Sequence, residues 1–259
     1  TGNARIDYRI SHDGILYFLV FTTGDIFDAA DLWKTSGTTA STSIIEEVGV
    51  ENDVNEYPVP FLVYNDKVYF FTRLNQFIDH LWVTDGTSEG TYIVFDNQRI
   101  EDGISFFDIV GDYMVFGGGV QGYPTPLYRS DGEGEPEAFY YYKSGSFFGE
   151  GRPRVTRVDL TKVGDLAFFA DHDGPSDSGD GTADHPEDYF HLFQTDAVTT
   201  ESMRTMYGVS TVGTYNIVDF GGKVLFTTHD TQEGSTDNQK RLWIYDPSAA
   251  PAPTSSFTL

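Results

Sequence analysis

The chain has no cysteine, so neither disulfides nor thiolate metal sites contribute to its fold, and thiols say nothing of its redox compartment. Positive charge is scarce. Only 16 Lys plus Arg stand against 40 Asp plus Glu, for a formal net charge of −24. Nucleic-acid phosphates and anionic membranes both need a basic footprint, so partners of those kinds are not expected. Such a surface favours solubility, cation binding and a secreted or saline setting. No apolar run reaches the roughly 18 residues of a membrane-spanning helix, so membrane insertion is not expected. The opening Thr1-Gly2-Asn3 is polar and does not read as a secretion signal, as expected of a mature chain or of a domain from a longer one. Gly-x-Ser-x-Gly, His-Glu-x-x-His and phosphate-loop patterns are missing. The run Gly117-Gly118-Gly119 has no Lys-Ser/Thr after it and reads as a bend.

What the chain does have is aromatic residues, 15% of the total, and a repeat. The clearest copy runs His80-Leu81-Trp82-Val83-Thr84-Asp85-Gly86-Thr87-Ser88-Glu89-Gly90-Thr91. Weaker copies begin at Leu32-Trp33, Leu127-Tyr128, Leu192-Phe193 and Leu242-Trp243, with gaps of 49, 46, 65 and 50 residues between anchors. β-type units at such a period form radial or stacked arrays, since one unit cannot bury its faces alone. The reading is all-β: a five-bladed β-propeller of four-stranded antiparallel blades, in a single domain over 1–259. Its units lie at about 4–50, 57–97, 105–143, 155–207 and 214–259. A piece of a larger ring would read the same.

Each unit resolves into four extended segments. In the second, Pro60–Tyr64, Lys67–Thr72, Leu81–Thr84 and Thr91–Phe95 are rich in Tyr, Phe, Val and Thr, as half-buried strands are. The first hairpins turn at Asp13-Gly14, Asn65-Asp66, Gly111-Asp112, Gly164-Asp165 and Gly221-Gly222, where positive φ is required. In Asp85-Gly86-Thr87 the carboxylate is expected to accept backbone N–H bonds, with Gly86 in the left-handed residue's place. The repeated aromatic before that turn is expected to pack between blades.

Through Leu81, Trp82, Asp85, Gly86, Thr87, Gly90 and Thr91, this unit resembles the ELWxxDGT repeat of bacterial secreted and cell-surface proteins. The other copies depart from it: Ser36 replaces Asp in the first, and the third loses both Thr positions. The resemblance implies a β-propeller, often one module of a large surface or adhesive protein. It implies no shared activity and no catalytic residues.

Topology separates two ends. The connections one-to-two and three-to-four are tight, whereas two-to-three and unit-to-unit connections are long, as over 23–31, 117–126, 171–189 and 229–241. Varied loops on a rigid scaffold are where function collects. The fourth-unit insertion carries Asp171, Asp173, Asp177, Asp180 and Asp184 spaced by Gly and Ser, a set able to wrap calcium as alternate carboxylates do, or simply to be solvated. It is not an EF-hand. Aligning Phe169 with Phe226 sets His172 against His229 and Asp173 against Asp230, a conceivable transition-metal or ligand site at one rim. Tyr123, Phe147, Phe148 and the run Phe139-Tyr140-Tyr141-Tyr142 are candidate sugar-stacking residues, although strand alternation makes the run a fourth strand, with side chains sent in turn to core and surface.

The expected function is an extracellular or cell-surface binding or adhesion module. Its partner is a glycan or other extracellular ligand, calcium is a possible cofactor, and the module is expected to be part of a larger multidomain chain. The alternatives are a glycoside hydrolase using channel-mouth carboxylates drawn from Asp7, Asp108, Asp159 and Asp219, or a ligand-free spacer of an adhesin.

Overall fold

Hairpin turns set the fold locally. Asn65 and Asp66 both hold left-handed backbone, at φ 48° and 58°, the geometry that matches a two-residue turn to the twist of its strands. The computed structural model describes residues 4–23, 28–49, 61–75, 78–97, 104–118, 126–141, 160–172, 190–202, 211–230, 239–249 and 255–258. Among these lie twenty strands in five sheets of four. The first sheet holds β1 (Ala4–His12), β2 (Ile15–Thr23), β3 (Asp28–Thr35) and β4 (Ser43–Glu47). The second holds β5 (Phe61–Tyr64), β6 (Lys67–Asn75), β7 (Ile78–Thr84) and β8 (Tyr92–Asn97). The third holds β9 (Ile104–Val110), β10 (Tyr113–Gly118), β11 (Pro126–Ser130) and β12 (Glu137–Tyr141). The fourth holds β13 (Thr161–Val163), β14 (Leu166–His172), β15 (Phe190–Thr195) and β16 (Thr200–Ser202). The fifth holds β17 (Thr211–Asp219), β18 (Val224–Asp230), β19 (Gln239–Tyr245) and β20 (Ser255–Thr258). In every sheet the spatial order is the chain order, so each is an antiparallel meander drawn from one repeat, with no strand exchanged between units.

Alternation along a strand sends neighbouring side chains to opposite faces of its sheet. On β6, Val68 and Phe70 pack with Tyr17, Leu19, Phe21 and Leu32 of the first sheet. Tyr69 and Phe71, between them, pack with Met114 and Phe116 of the third. Val115 continues the series against Ala167 and Ala197 of the fourth sheet, and Phe168 against Val224 and Phe226 of the fifth. The core is therefore a succession of sheet-to-sheet interfaces in chain order. The first strands run together along one edge of the stack: β1 packs on β5, β5 on β9 and β13 on β17.

At the centre of each sheet stands one cross-strand aromatic pair. The pairs are Phe18 with Trp33, Phe70 with Trp82, Phe116 with Tyr128, Phe169 with Phe193, and Phe226 with Trp243. The last four stack nearly parallel, at interplanar angles of 11°, 19°, 10° and 12°. Each of these four faces the preceding sheet. Burying one such ring contributes roughly 1.5–3 kcal/mol. The repeated aromatic is thus a wedge between sheets, as the sequence predicts.

Two expected loops are shorter than the sequence indicates. Ala29 and Ala30 pair with Thr22 and Phe21, and buried Ala30 joins the core, so β3 starts at Asp28 and the connection shrinks to 24–27. In the second sheet it is 76–77.

Candidate ligand-binding end

At one end of the stack the turn side chains are consumed by the turns themselves. Thr84 accepts the Gly86 N–H at 2.9 Å. Thr35, Ser130 and Thr195 do the same for Gly37, Gly132 and Ala197, at 3.0, 3.1 and 3.0 Å. Asp85 Oδ1 accepts from the Thr87 N–H at 2.9 Å and from its hydroxyl at 2.7 Å. Asp131 accepts from Glu133, Asp196 from Val198 and Thr199, and Asp246 from Ser248. The Thr87 bonds, hydroxyl first, hold the Asp85 carboxyl below its ordinary range. The Thr199 N–H does so for Asp196, and the Ser248 hydroxyl with Lys223 lowers Asp246 to about 2. Bonds made to the charged form favour it.

The same turns pin neighbouring sheets together. Lys34 Nζ donates to the Gly86 carbonyl at 2.5 Å, and Arg129 Nη1 to the Ala197 carbonyl at 2.7 Å. The Gly111 N–H donates to the Asp165 carbonyl at 3.0 Å, and the Tyr64 hydroxyl donates to the Asp112 carbonyl. This end builds the stack and leaves its Asp-Gly-Thr chemistry little to offer a ligand.

All other connections meet at the opposite end. Within sheets they are 24–27, 76–77, 119–125, 173–189 and 231–238; between sheets they are 48–60, 98–103, 142–160 and 203–210. Tyr141 closes β12 at this end, opposite Pro126, and is 57% exposed. Its neighbours point inward: Tyr140 packs edge-on against Phe169 at 5.1 Å, and Phe139 joins the apolar core. The run joins a fourth strand that ends at Tyr141, its most exposed ring; strict alternation does not hold, because Phe139 is the extra residue of a bulge opposite Leu127 and Tyr128 and packs in the core beside Tyr140. Buried His80 lies near the same end, with Nε2 3.3 Å from Asp96 Oδ1 on the next strand, a pair the sequence reading did not single out.

The residues favoured from sequence fall mostly elsewhere. Tyr123, Phe147, Phe148, Asp173, Asp177, Asp180 and Asp184 lie outside the described residues. Asp171 sits in β14 opposite His191, and His229 and Asp230 end β18 opposite Lys240 and Gln239; their side chains lie outside the description. The pairing of Phe169 with Phe193 and of Phe226 with Trp243 upholds the alignment that makes His172 and His229 equivalent. Among the described residues, no group of three or more His, Asp or Glu is placed to hold a metal ion.

Of the acids considered for hydrolysis, Asp159 lies outside the described residues, as does the side chain of Asp7. Asp108 lies 3.7 Å from Lys162 Nζ and accepts the Ile109 N–H, and Asp219 accepts the Gly222 N–H of its own hairpin at 2.9 Å. Both of these have structural employment.

No protein-family model matches the chain, and no curated protein matches it. Among solved structures, an α-L-arabinofuranosidase from Clostridium thermocellum aligns at 10% identity and TM-score 0.37, over 99% of this chain and 94% of that one. An endo-arabinase from Bacteroides thetaiotaomicron aligns at 11% identity and TM-score 0.31, over 98% and 97%. The Pyrococcus horikoshii acylaminoacyl peptidase aligns at 10% identity and TM-score 0.38, over 99% of this chain and 52% of that one. At such scores neither fold nor activity follows from the likeness.

Proposed function

We propose that the five sheets are the blades of one five-bladed β-propeller related to the ELWxxDGT repeats. The module binds an extracellular ligand, first of all a carbohydrate, through the end that gathers the long connections. One observation supports this most. The tight-turn end spends its polar groups on turns and inter-sheet bonds, whereas the connections longer than ten residues, 48–60, 142–160 and 173–189, all join strand ends at the other end, where Tyr141 is exposed. An exposed aromatic ring beside adaptable polar loops suits the apolar face of a sugar. The acidic insertion, with Asp171, Asp173, Asp177, Asp180 and Asp184, supplies the oxygen ligands calcium prefers and assists binding when loaded. The setting is the cell surface or beyond, within a larger multidomain chain.

A glycan array spanning plant, algal and animal sugars, run with calcium and with chelator, tests this. Binding to at least one glycan class, weakened by chelator, is expected. Silence across all classes contradicts the reading. Calorimetric titration with calcium isolates the metal: no heat and no rise in melting temperature would remove it from the proposal.

A further inference from the structure

We infer that the ligand taken at the long-connection end is an acidic polysaccharide, whose carboxylate or sulfate groups meet the arginines of the 142–160 connection while Tyr141 stacks on the sugar ring. This rests on the binding reading above and adds the chemical class of the ligand. The ground for it is where the chain places its few cations. At the tight-turn end they are engaged by the fold. Lys34 Nζ donates to the Gly86 carbonyl at 2.5 Å, and Arg129 Nη1 to the Ala197 carbonyl at 2.7 Å. Lys223 Nζ lies 3.1 Å from Asp246, and Lys162 Nζ 3.7 Å from Asp108.

The arginines are distributed otherwise. Eight of the ten lie in the connections of the opposite end or within three residues of a strand end that meets them. The densest group falls in 142–160, between β12 and β13. There Lys143, Arg152, Arg154 and Arg157 stand against Glu150 and Asp159 alone. The chain as a whole has 40 acids to 16 bases, so a segment in which cations outnumber acids runs against its surroundings. The connections 119–125 and 203–210 hold no acid at all, and the acids of this end are most numerous in 173–189.

The described structure supplies the second element. Tyr141 is exposed where β12 ends, two residues before Lys143. A sugar ring that carries a carboxylate has an apolar face and a planar anion at its rim. An exposed aromatic ring takes the first, and a guanidinium takes the second through two parallel N–H···O bonds. A neutral sugar has no group that calls for this fork. The net charge of −24 does not oppose the contact. Strands of seven and nine residues, as in β7 and β6, hold the carboxylates of the tight-turn end roughly 20 Å or more away. Salt at physiological strength screens exposed charges beyond about 8 Å, so an anion at this end meets the local charge rather than the sum.

Polygalacturonate and its fully methyl-esterified form share a backbone and differ in charge; dextran sulfate and dextran form a second such pair. Calorimetry on the unmodified chain is expected to show at least one charged polymer binding about tenfold or more tighter than its neutral counterpart. The preference should persist in chelator and weaken with added salt. Which pair responds tells whether carboxylate or sulfate is read. Arg152→Ala with Arg154→Ala is expected to weaken the charged polymer by about tenfold or more at an unchanged melting temperature, and Lys at both positions to recover only part. Equal binding of charged and neutral polymers, which needs no variant to observe, overturns the inference. So does a preference that vanishes in chelator, since the anion would then be held by calcium. A double variant that melts earlier yet binds as before assigns these arginines to ion pairs within the protein, and also overturns it. If neither charged polymer binds, the inference falls, and the glycan array decides the binding reading separately: a neutral glycan bound there leaves that reading standing.

Discussion

The Tyr17 hydroxyl stands 2.8 Å from where a Cβ on Gly86 would lie, across the interface of the first two sheets. Tyr69 repeats this against Gly132 at 2.7 Å. At the next interface both partners change together: Val115 takes the tyrosine's place and Ala197 the glycine's, and the two pack in one cluster. The turn glycine of the repeat is therefore set by the neighbouring sheet as well as by its own φ of +90°. Burial, with Asp85 and Asp13 behind it, pushes the Tyr17 hydroxyl up, and burial likewise carries Tyr69 to about 12.

Gly86→Ala is expected to cost about 2 kcal/mol, from left-handed strain of roughly 1–3 kcal/mol together with overpacking against Tyr17. Tyr17→Phe removes the hydroxyl but not the φ. The double variant should therefore be less destabilised than the sum of the single ones, as urea denaturation of all three would show.

Gly90 lies under Asp85: a Cβ there would meet Oδ1 at 2.1 Å. Gly90→Ala is expected to push the carboxylate out of its turn, losing the Thr87 bonds at about 1–3 kcal/mol. NMR titration should show the Asp85 carboxyl returning upward toward its ordinary range.

Acid stability follows from the turn carboxylates. Asp85, Asp196 and Asp246 are held below their ordinary range. The unfolded chain therefore binds more protons than the folded one as pH falls through about 4. The stabilisation is complete above that point and is lost on acidification, down to about 2 for Asp246. Asp31, raised by burial and then by Glu47, has the opposite sign and offsets part of the loss. Asp85→Asn with Asp246→Asn should flatten melting temperature against pH between about 4 and 2. Added salt should weaken the contribution of the exposed Lys223–Asp246 pair, 3.1 Å apart.

Arg129 joins two sheets by donating to the Ala197 carbonyl at 2.7 Å. It also pairs with Glu137 at 2.9 Å and stacks over Tyr113 at 5.2 Å. Arg129→Ala is expected to cost about 1.5–3 kcal/mol, the range for a bond from a charged donor. Arg129→Lys should recover only part, since it loses the planar fork. Guanidinium denaturation with an unchanged slope would mark this as a loss of stability alone.

The sheets were legible because their signals are local. Asn65-Asp66 announces its turn, and Leu81-Trp82 fixes the register of its strand. Contacts between sheets were not. Lys34 and Gly86 are 52 residues apart, and their meeting depends on which way the sheets stack, which periodicity leaves open. The same applies to the candidate site. Connection lengths distinguished the two ends, but did not foretell that Ala29 and Ala30 extend a ladder and shorten one loop. Within Phe139–Tyr142 alternation foretold inward and outward rings, but not the bulge that turns Phe139 into the core beside Tyr140 and leaves Tyr141 the exposed ring.

Comparing the two ends for ligand binding tests the central claim most directly. Tyr141→Ala alters an exposed residue at the long-connection end, and Val198→Ala one at the tight-turn end. With the best glycan from the array, calorimetry is expected to show at least tenfold weaker binding for Tyr141→Ala, about 1.4 kcal/mol, and unchanged binding for Val198→Ala. Unchanged binding in Tyr141→Ala with loss in Val198→Ala would place the ligand on the tight-turn end and contradict the account.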